Sequence, residues 1–235
     1  MVSSSLLGGA HVTLLLSVIA CNGSINTGQD GDFALAFDGG GCVEVPVDVG
    51  ARTEDLSIEA FVRGAVDADL GHKPIVIWRS VFALVDTDDG RTWFGEDDLD
   101  EGDGVFDVVG IMDGKSHHVA GTWASDGKMR LFVDGQLIGF QTSSPGTVIG
   151  DTIQIGCWTD LAAGFEGTLD EVRLSSSIRY EDTFEASFEP FEVDESTTAL
   201  WHMDEGEGDT LVDATGNYDG VVYDTEWVAA GGSED

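Results

Sequence analysis

The sequence predicts an all-β protein, a sandwich of two packed antiparallel sheets. Three observations carry this. Short runs of alternating apolar residues recur along the chain, Asp-Gly pairs punctuate them, and no long stretch repeats with the helical period.

In chain order, Phe33, Leu35 and Phe37 alternate ahead of Asp38-Gly39, and Val43, Val45 and Val47 follow. Ile58, Ala60 and Val62 form one face of SIEAFVR. Val81–Val85 runs into Asp89-Gly90, Val119–Trp123 into Asp126-Gly127, and Met129, Leu131 and Val133 into Asp134-Gly135, after which Gln136–Phe140 returns. Asp-Gly between alternating runs is a strong hairpin signal, because both turn positions need positive φ. Antiparallel pairs are therefore expected around 89–90, 126–127 and 134–135. Ile153-Gln154-Ile155 and Leu169–Leu174 add two strands. Ser175–Pro190 lacks alternation. Thr198–Met203 and Val221–Tyr223 read as strands on either side of a Gly- and Asp-rich loop.

The N-terminus carries a different signal. An apolar, uncharged run ends in Val18-Ile19-Ala20-Cys21. A short apolar stretch closed by a small residue marks a secretory signal, and Val12–Ala20 is short of the ~20 apolar residues that span a bilayer. The Cys directly after that small residue resembles a bacterial lipobox, so residues 1–20 read as a signal peptide and Cys21 as the lipid-bearing residue; no Lys or Arg precedes the apolar run, and plain secretion or a misplaced start are the alternatives. Residues 21–31 read as a flexible tether, 32–228 as the β-sandwich with C-terminal added strands, and 229–235 as a frayed tail. Asn22 after Cys21 points to the outer membrane.

With 45 acidic and 10 basic residues the formal charge is −35. That excess repels phosphates and argues against nucleic acid as a partner. It suits a solvated surface in salty water, divalent-cation binding, or both. Of the three cysteines, Cys21 is assigned to lipid. Cys42 and Cys157 remain, an even pair in an oxidising compartment, which suggests a disulfide. Strand parity pulls the other way: Cys42 shares a face with Glu44, and Cys157 with Ile153 and Ile155. Two buried free thiols stay open as the alternative, with flanking glycines able to reset the register.

ALAFDGGGCVEVP, LSIEAFVR, HHVAGTWASDGKMRLFVDGQLIG, IQIGCW and FEGTLDEVRLSSSIRY occur in this order. Together, from Phe33 to Tyr180, they resemble the concanavalin A-like, laminin-G-like (LamG-like) domains of bacterial surface proteins. The resemblance implies a two-sheet jelly roll with one concave and one convex sheet. TTALWHMDEGEGDTLVDATGN (197–217) resembles the opening of another such unit, but the 18 residues that follow it are too few for a second sandwich. Strands added to the first domain are favoured, since Leu200, Trp201 and Met203 need burial; the remnant of a lost repeat is the alternative.

Candidate chemistry is sparse. Asp170 shares strand parity with Val172 and Leu174, and Asp38 with Ala34 and Ala36. A carboxylate turned inward needs a partner, and related sandwiches place a structural Ca²⁺ near such strands, so Asp38 and Asp170 are the candidate calcium ligands. The alternatives are an Arg partner for Asp170 and a turn cap for Asp38. The acidic run 86–104 does not fit the EF-hand order and reads as a solvated loop. His117 and His118 are adjacent on a strand and point to opposite faces, which favours packing or hydrogen bonding over a shared metal; His202 reads the same way. Trp93, inside the acidic run, is the candidate exposed ring for stacking on a ligand, while Trp123 reads as core. Sandwich hydrolases need two carboxylates about 5–5.5 Å apart. FEVDEST (191–197) is the nearest imitation and places Glu195 where an apolar residue is wanted, so no enzymatic activity is expected.

The expected protein is thus a lipid-anchored extracytoplasmic module that recognises a glycan or a surface protein at the cell envelope, steadied by structural Ca²⁺. A divergent glycoside hydrolase and a purely structural envelope protein are the competing readings.

Overall fold

The computed structural model describes residues 33–47, 54–66, 71–78, 82–87, 90–95, 104–107, 109–143, 150–158 and 164–230. The signal segment 1–20, Cys21, the tether 21–31 and the end of the tail, 231–235, lie outside the described residues.

The strands are β1 (Phe33–Asp38), β2 (Cys42–Pro46), β3 (Leu56–Gly64), β4 (Lys73–Trp78), β5 (Phe82–Asp86), β6 (Thr92–Gly95), β7 (Gly104–Asp107), β8 (His117–Trp123), β9 (Lys128–Val133), β10 (Gln136–Thr142), β11 (Thr152–Ile155), β12 (Glu166–Ser175), β13 (Thr197–Trp201), β14 (Thr210–Leu211), β15 (Gly220–Tyr223) and β16 (Glu226–Ala229). No helix occurs among the described residues. Sheet A runs β10-β9-β8-β3-β12-β1-β16 with β13 also on β12; sheet B runs β14-β15-β2-β11-β4-β5-β6-β7. Every pairing is antiparallel, as a two-sheet jelly roll requires.

The alternating runs close the core between the sheets. Leu35, Ile58, Ala60, Val62, Val119, Leu131 and Leu169 from sheet A meet Val43, Val45, Leu84, Phe94 and Ile153 from sheet B, all buried. The three Asp-Gly turns connect antiparallel neighbours: β5 with β6, β8 with β9, and β9 with β10. Their glycines sit at φ 74°, 92° and 74°, and Asp134 at 50°. The sequence reading missed β4, whose residues are all buried. Ile75, Val76 and Trp78 enter the core and Ile77 faces the other way, across a bulge after Pro74. A strand covered on both faces has no alternation to read.

Two backbone irregularities overturn the parity argument for particular side chains. At Glu171, φ is 49° and the β12–β3 register shifts between Asp170 and Arg173. Leu169 and Val172, three apart, therefore both enter the core. Asp170 does not share their face; it is half-buried, and its Oδ1 accepts a hydrogen bond from the Glu171 amide at 2.8 Å. The same bulge divides one edge of β12, so that β1 pairs with its first half and β13 with its second. Asp38 is exposed and caps the turn, accepting from the Gly40 amide at 3.1 Å. It lies opposite Glu166, at the other end of β12's pairing with β1 from Asp170. The expected calcium pair does not converge, and no cluster of three His, Cys, Asp or Glu suited to a metal occurs among the described residues.

The second irregularity is Gly156, at φ 77°. Ile153 and Ile155 point into the core, and the left-handed turn at Gly156 then swings Cys157 out of their alternation. There it meets Cys42, and the two are joined in a disulfide with a Cα–Cα distance of 5.1 Å. A side chain at Gly156 would also strike the Phe37 ring at 2.2 Å.

Beyond residue 196 the chain returns to both sheets. β13 and β16 extend sheet A, and β14 and β15 extend sheet B. Leu200, Trp201 and Met203 are fully buried.

Candidate binding groove

The outer face of sheet A would expose a charged and aromatic row: Glu59 and Phe61 on β3, His118 on β8, Phe132 on β9 and Arg173 on β12. Residues 176–196, which link β12 to β13 without forming a strand, lie across it as a strap. Glu59 is fully buried and its carboxylate is saturated. Oε1 accepts from Arg173 Nε (2.9 Å) and NH2 (2.7 Å); Oε2 accepts from Tyr180 OH (2.7 Å) and pairs with His118 Nε2 (2.9 Å). Burial alone would push the Glu59 carboxyl up, but the His118, Arg173 and Tyr180 contacts outweigh it and hold the value below the ordinary one. Burial, followed by the adjacent Glu59 charge, pushes the Tyr180 hydroxyl well above its usual range.

Further contacts pin the strap. Ser57 Oγ donates to the Ser177 carbonyl and accepts from the Arg179 amide. Arg179 forks onto both Asp194 oxygens at 2.9 and 2.8 Å, and these bonds hold the Asp194 carboxyl well below the usual carboxylate range. The Phe184 amide donates to the Gly135 carbonyl at 2.8 Å, and a Cβ on Gly135 would lie 2.3 Å from the Phe184 carbonyl oxygen. Tyr180 and Phe184 stack at 3.8 Å, Phe61 packs on Phe191 and Phe188, and the Arg173 guanidinium lies 4.2 Å over Phe191.

Between strap and sheet a groove of about 460 Å³ remains. His118, Arg173 and Tyr180 line it together with Phe184, Phe191 and Pro190, and Glu185, Glu189 and Glu192 stand along it exposed to solvent. Its volume is in the range of small-ligand and side-chain pockets.

A second buried hub organises the C-terminal strands. Asp213 accepts from the amides of Leu200, Thr215, Asn217 and Tyr218 and from the Thr215 hydroxyl. Burial raises its carboxyl, and these donors, Thr215 first, more than reverse that. Asp213→Ala would orphan the fully buried Leu200 amide, so a loss of about 2–3 kcal/mol is expected in denaturant unfolding. On the neighbouring strands Glu171 bridges the Phe191 amide (2.7 Å) and His202 Nδ1 (2.7 Å). The Glu171 hydrogen bond raises the His202 value against a smaller opposing effect of burial. Stability from this pair is fully present below the ordinary histidine value of 6.5 and is lost as pH rises through the raised one. The stability gap between the parent and His202→Gln should therefore shrink between neutral and alkaline pH, by ~1 kcal/mol or less given its partial exposure.

The other sequence candidates fall elsewhere. Trp93 is not an exposed ligand contact: it lies on β6, is 5% exposed, and packs with Ile77, Ala83, Val85 and Trp158 on the outer face of sheet B. Its ring covers Gly104, where a Cβ would come within 2.3 Å. The run 86–104 thus contains a strand as well as acidic residues, and its residues 88–89 and 96–103 lie outside the described residues. His117 bridges Asp134 Oδ2 (2.8 Å) and Asp113 Oδ1 (3.1 Å), away from His118 and its Glu59 partner. FEVDEST is irregular up to Thr197, and its Asp194 is held by Arg179.

Glu59 and Asp213 went unnoticed in the sequence. The signal for Glu59 was a charge inside the apolar run SIEAFV, and for Asp213 an Asp two residues before Thr and four before Asn.

Residues 37–183 match the family model described as the concanavalin A-like lectin/glucanases superfamily, a laminin G model. The chain belongs to this superfamily. Among solved structures, a Bacteroides ovatus protein provisionally assigned as carbohydrate-binding aligns with a TM-score of 0.69 at 19% identity, over 86% of this chain and 60% of its own. This superfamily member therefore spans about three-fifths of that protein's length. A heptameric SAP-like pentraxin from Limulus polyphemus (TM-score 0.48, 15% identity, 73% of this chain and 95% of its own) and mouse laminin α1 domains LG4-5 (0.47, 19%, 67% and 45%) also align. Comparison with curated protein sequences found no match.

Proposed function

We propose that the chain is a lipid-anchored, extracytoplasmic binding module that recognises a glycan or a protein at the cell envelope and does not cleave it. The observation that carries this is the groove beneath the strap. Behind its lining residues the buried Glu59 carboxylate is saturated by Arg173, Tyr180 and His118, and Asp194, which lines it, is forked by Arg179. Carboxylates committed in this way hold a surface in shape rather than move protons. The lectin-type fold and the carbohydrate-binding assignment of the Bacteroides protein support recognition as the task. The signal-like segment ending at Cys21 supports the anchor, and Asn22 the outer membrane. Anchoring raises the local concentration of a binding surface.

Two measurements test this. The chain should bind saturably on glycan or protein arrays and release no product from a polysaccharide panel; hydrolysis abolished by changing a carboxylate pair would overturn it. A fatty-acid analogue should label the expressed protein but not Cys21→Ala, and equal labelling of both would remove the anchor.

A further inference from the structure

We infer that two copies of the chain pair through the open edge of sheet A, β10 against β10, about a two-fold axis at Gln141. This goes beyond the proposed function and does not depend on what the module binds.

The edge is unguarded. β10 ends sheet A, and open edges are ordinarily blunted by charge, by proline or by shortness. The other edge strands follow that rule: β14 has two residues, β7 has four and ends at Asp107, and β16 opens with Glu226. β10 has seven residues, QLIGFQT, with neither charge nor proline. It lies within 135–150, the longest run without Asp, Glu, Lys or Arg after Asp30, in a chain of net charge −35. Its neighbours fix which backbone groups are open. The Leu137 amide donates to Thr183 Oγ1 at 3.1 Å, so the strap guards the first part of the strand. After the bulge between Leu137 and Gly139, Phe140 lies opposite Arg130 and Thr142 opposite Lys128. The Ser143 amide turns inward to the Gly127 carbonyl at 3.0 Å. By the alternation of an antiparallel ladder, the N–H and C=O of Phe140 and Thr142 then point away from β9. Among the described residues no strand pairs with β10 on that side, and the Phe140 side chain is 66% exposed.

A second copy fits this edge. Two outward-facing residues separated by one are self-complementary. An antiparallel copy turned about Gln141 sets Phe140 against Thr142 of the other copy and Thr142 against its Phe140, each pair exchanging both N–H···O bonds in an isologous contact. Charge points the same way. Two chains at −35 repel over most of their surface, so copies can meet only where acids are missing, and this strand is such a place. The antiparallel arrangement also turns Lys128, whose Nζ lies 5.2 Å from its own Phe140 ring, toward the strap end of the other copy, where Glu181 and Asp182 are exposed. The contact is small beside the ~1,200–2,000 Å² of a stable complex, so a weak dimer is expected, with a dissociation constant on the order of 0.1 mM.

Sedimentation equilibrium of the full chain over about 0.01–1 mM should show a monomer–dimer equilibrium. Phe140→Lys should weaken it roughly tenfold, because it sets like charges together across the axis beside Lys128. Val66→Lys, at a site 68% exposed and remote from the edge, should change it less than twofold. Both are surface changes, and an unchanged far-ultraviolet spectrum checks that each variant is folded. Under mild oxidation Gln141→Cys should give a disulfide-linked dimer, since residues facing each other in a non-hydrogen-bonded pair have Cα atoms about 4.5 Å apart, within reach of a disulfide. The exposed remote variant Glu207→Cys should not. A monomer throughout the range would overturn the pairing. Equal weakening by both lysine variants, or equal cross-linking of both cysteine variants, would mean unspecific association and would overturn the edge. A monomeric chain that binds a blocked QLIGFQT peptide would assign the edge to another protein's strand and overturn the pairing of copies.

Discussion

Glu59→Gln is expected to lower the unfolding free energy by about 3–5 kcal/mol, because it leaves the Arg173 guanidinium buried without its counter-charge. The amide keeps the size of the carboxylate, so the loss reports charge and hydrogen bonding rather than a cavity. It also replaces two of the four acceptor contacts by an amide N–H₂ that faces either the two Arg173 N–H groups or the Tyr180 hydroxyl and His118 Nε2. Chemical denaturation gives the magnitude. The double variant Glu59→Gln/Arg173→Met should cost clearly less than the sum of the single changes, since removing both charges relieves the uncompensated one. Strict additivity would refute the buried pair as the organising contact. The acid limb of stability carries the same signature. Glu59, Asp194 and Asp213 all have lowered values in the fold, so their contributions are complete above the ordinary carboxylate range and disappear as pH falls through the lowered ones.

Removing the disulfide through Cys42→Ala/Cys157→Ala is the second large effect, with an expected loss of about 2–4 kcal/mol. The bond ties residues 115 apart in sequence, and a cross-link over so long a loop removes much of the freedom of the unfolded chain. It also fastens β2 to the segment after β11, although β2 and β11 already pair along their lengths. The double variant should therefore keep its fold and lose stability, with the far-ultraviolet spectrum unchanged and the melting temperature lowered. A thiol count on the unfolded, unreduced protein should find neither Cys42 nor Cys157 free; two free thiols would withdraw both the bond and the prediction.

Much of the fold was legible because the periodicity of a half-buried strand is a local property. Phe33 to Phe37, Val43 to Val47 and Met129 to Val133 alternate in the chain as they alternate in the sheets, and each Asp-Gly turn declares its own geometry. Legibility failed where a residue's surroundings came from elsewhere. β4 does not alternate because both its faces are covered. Trp93 looked exposed because its sequence neighbours are acidic, yet it lies flat over Gly104 within a sheet. The parity argument for Asp170 and Cys157 failed at one residue each, Glu171 and Gly156, where a positive φ breaks the alternation. Gly156 is a visible warning of such a break; Glu171 is not.

The sequence by itself determined an all-β sandwich, its principal hairpins, its acidity and its family, because each follows from residue type and short-range spacing. Only the tertiary structure decided that Glu59, His118, Arg173 and Tyr180 share one buried network, and that an unpatterned segment returns over the sheet to form a groove. Those residues lie up to 121 positions apart. No local pattern encodes their meeting, which depends on β3, β8 and β12 lying side by side and on a strap that only the folded face can hold in place.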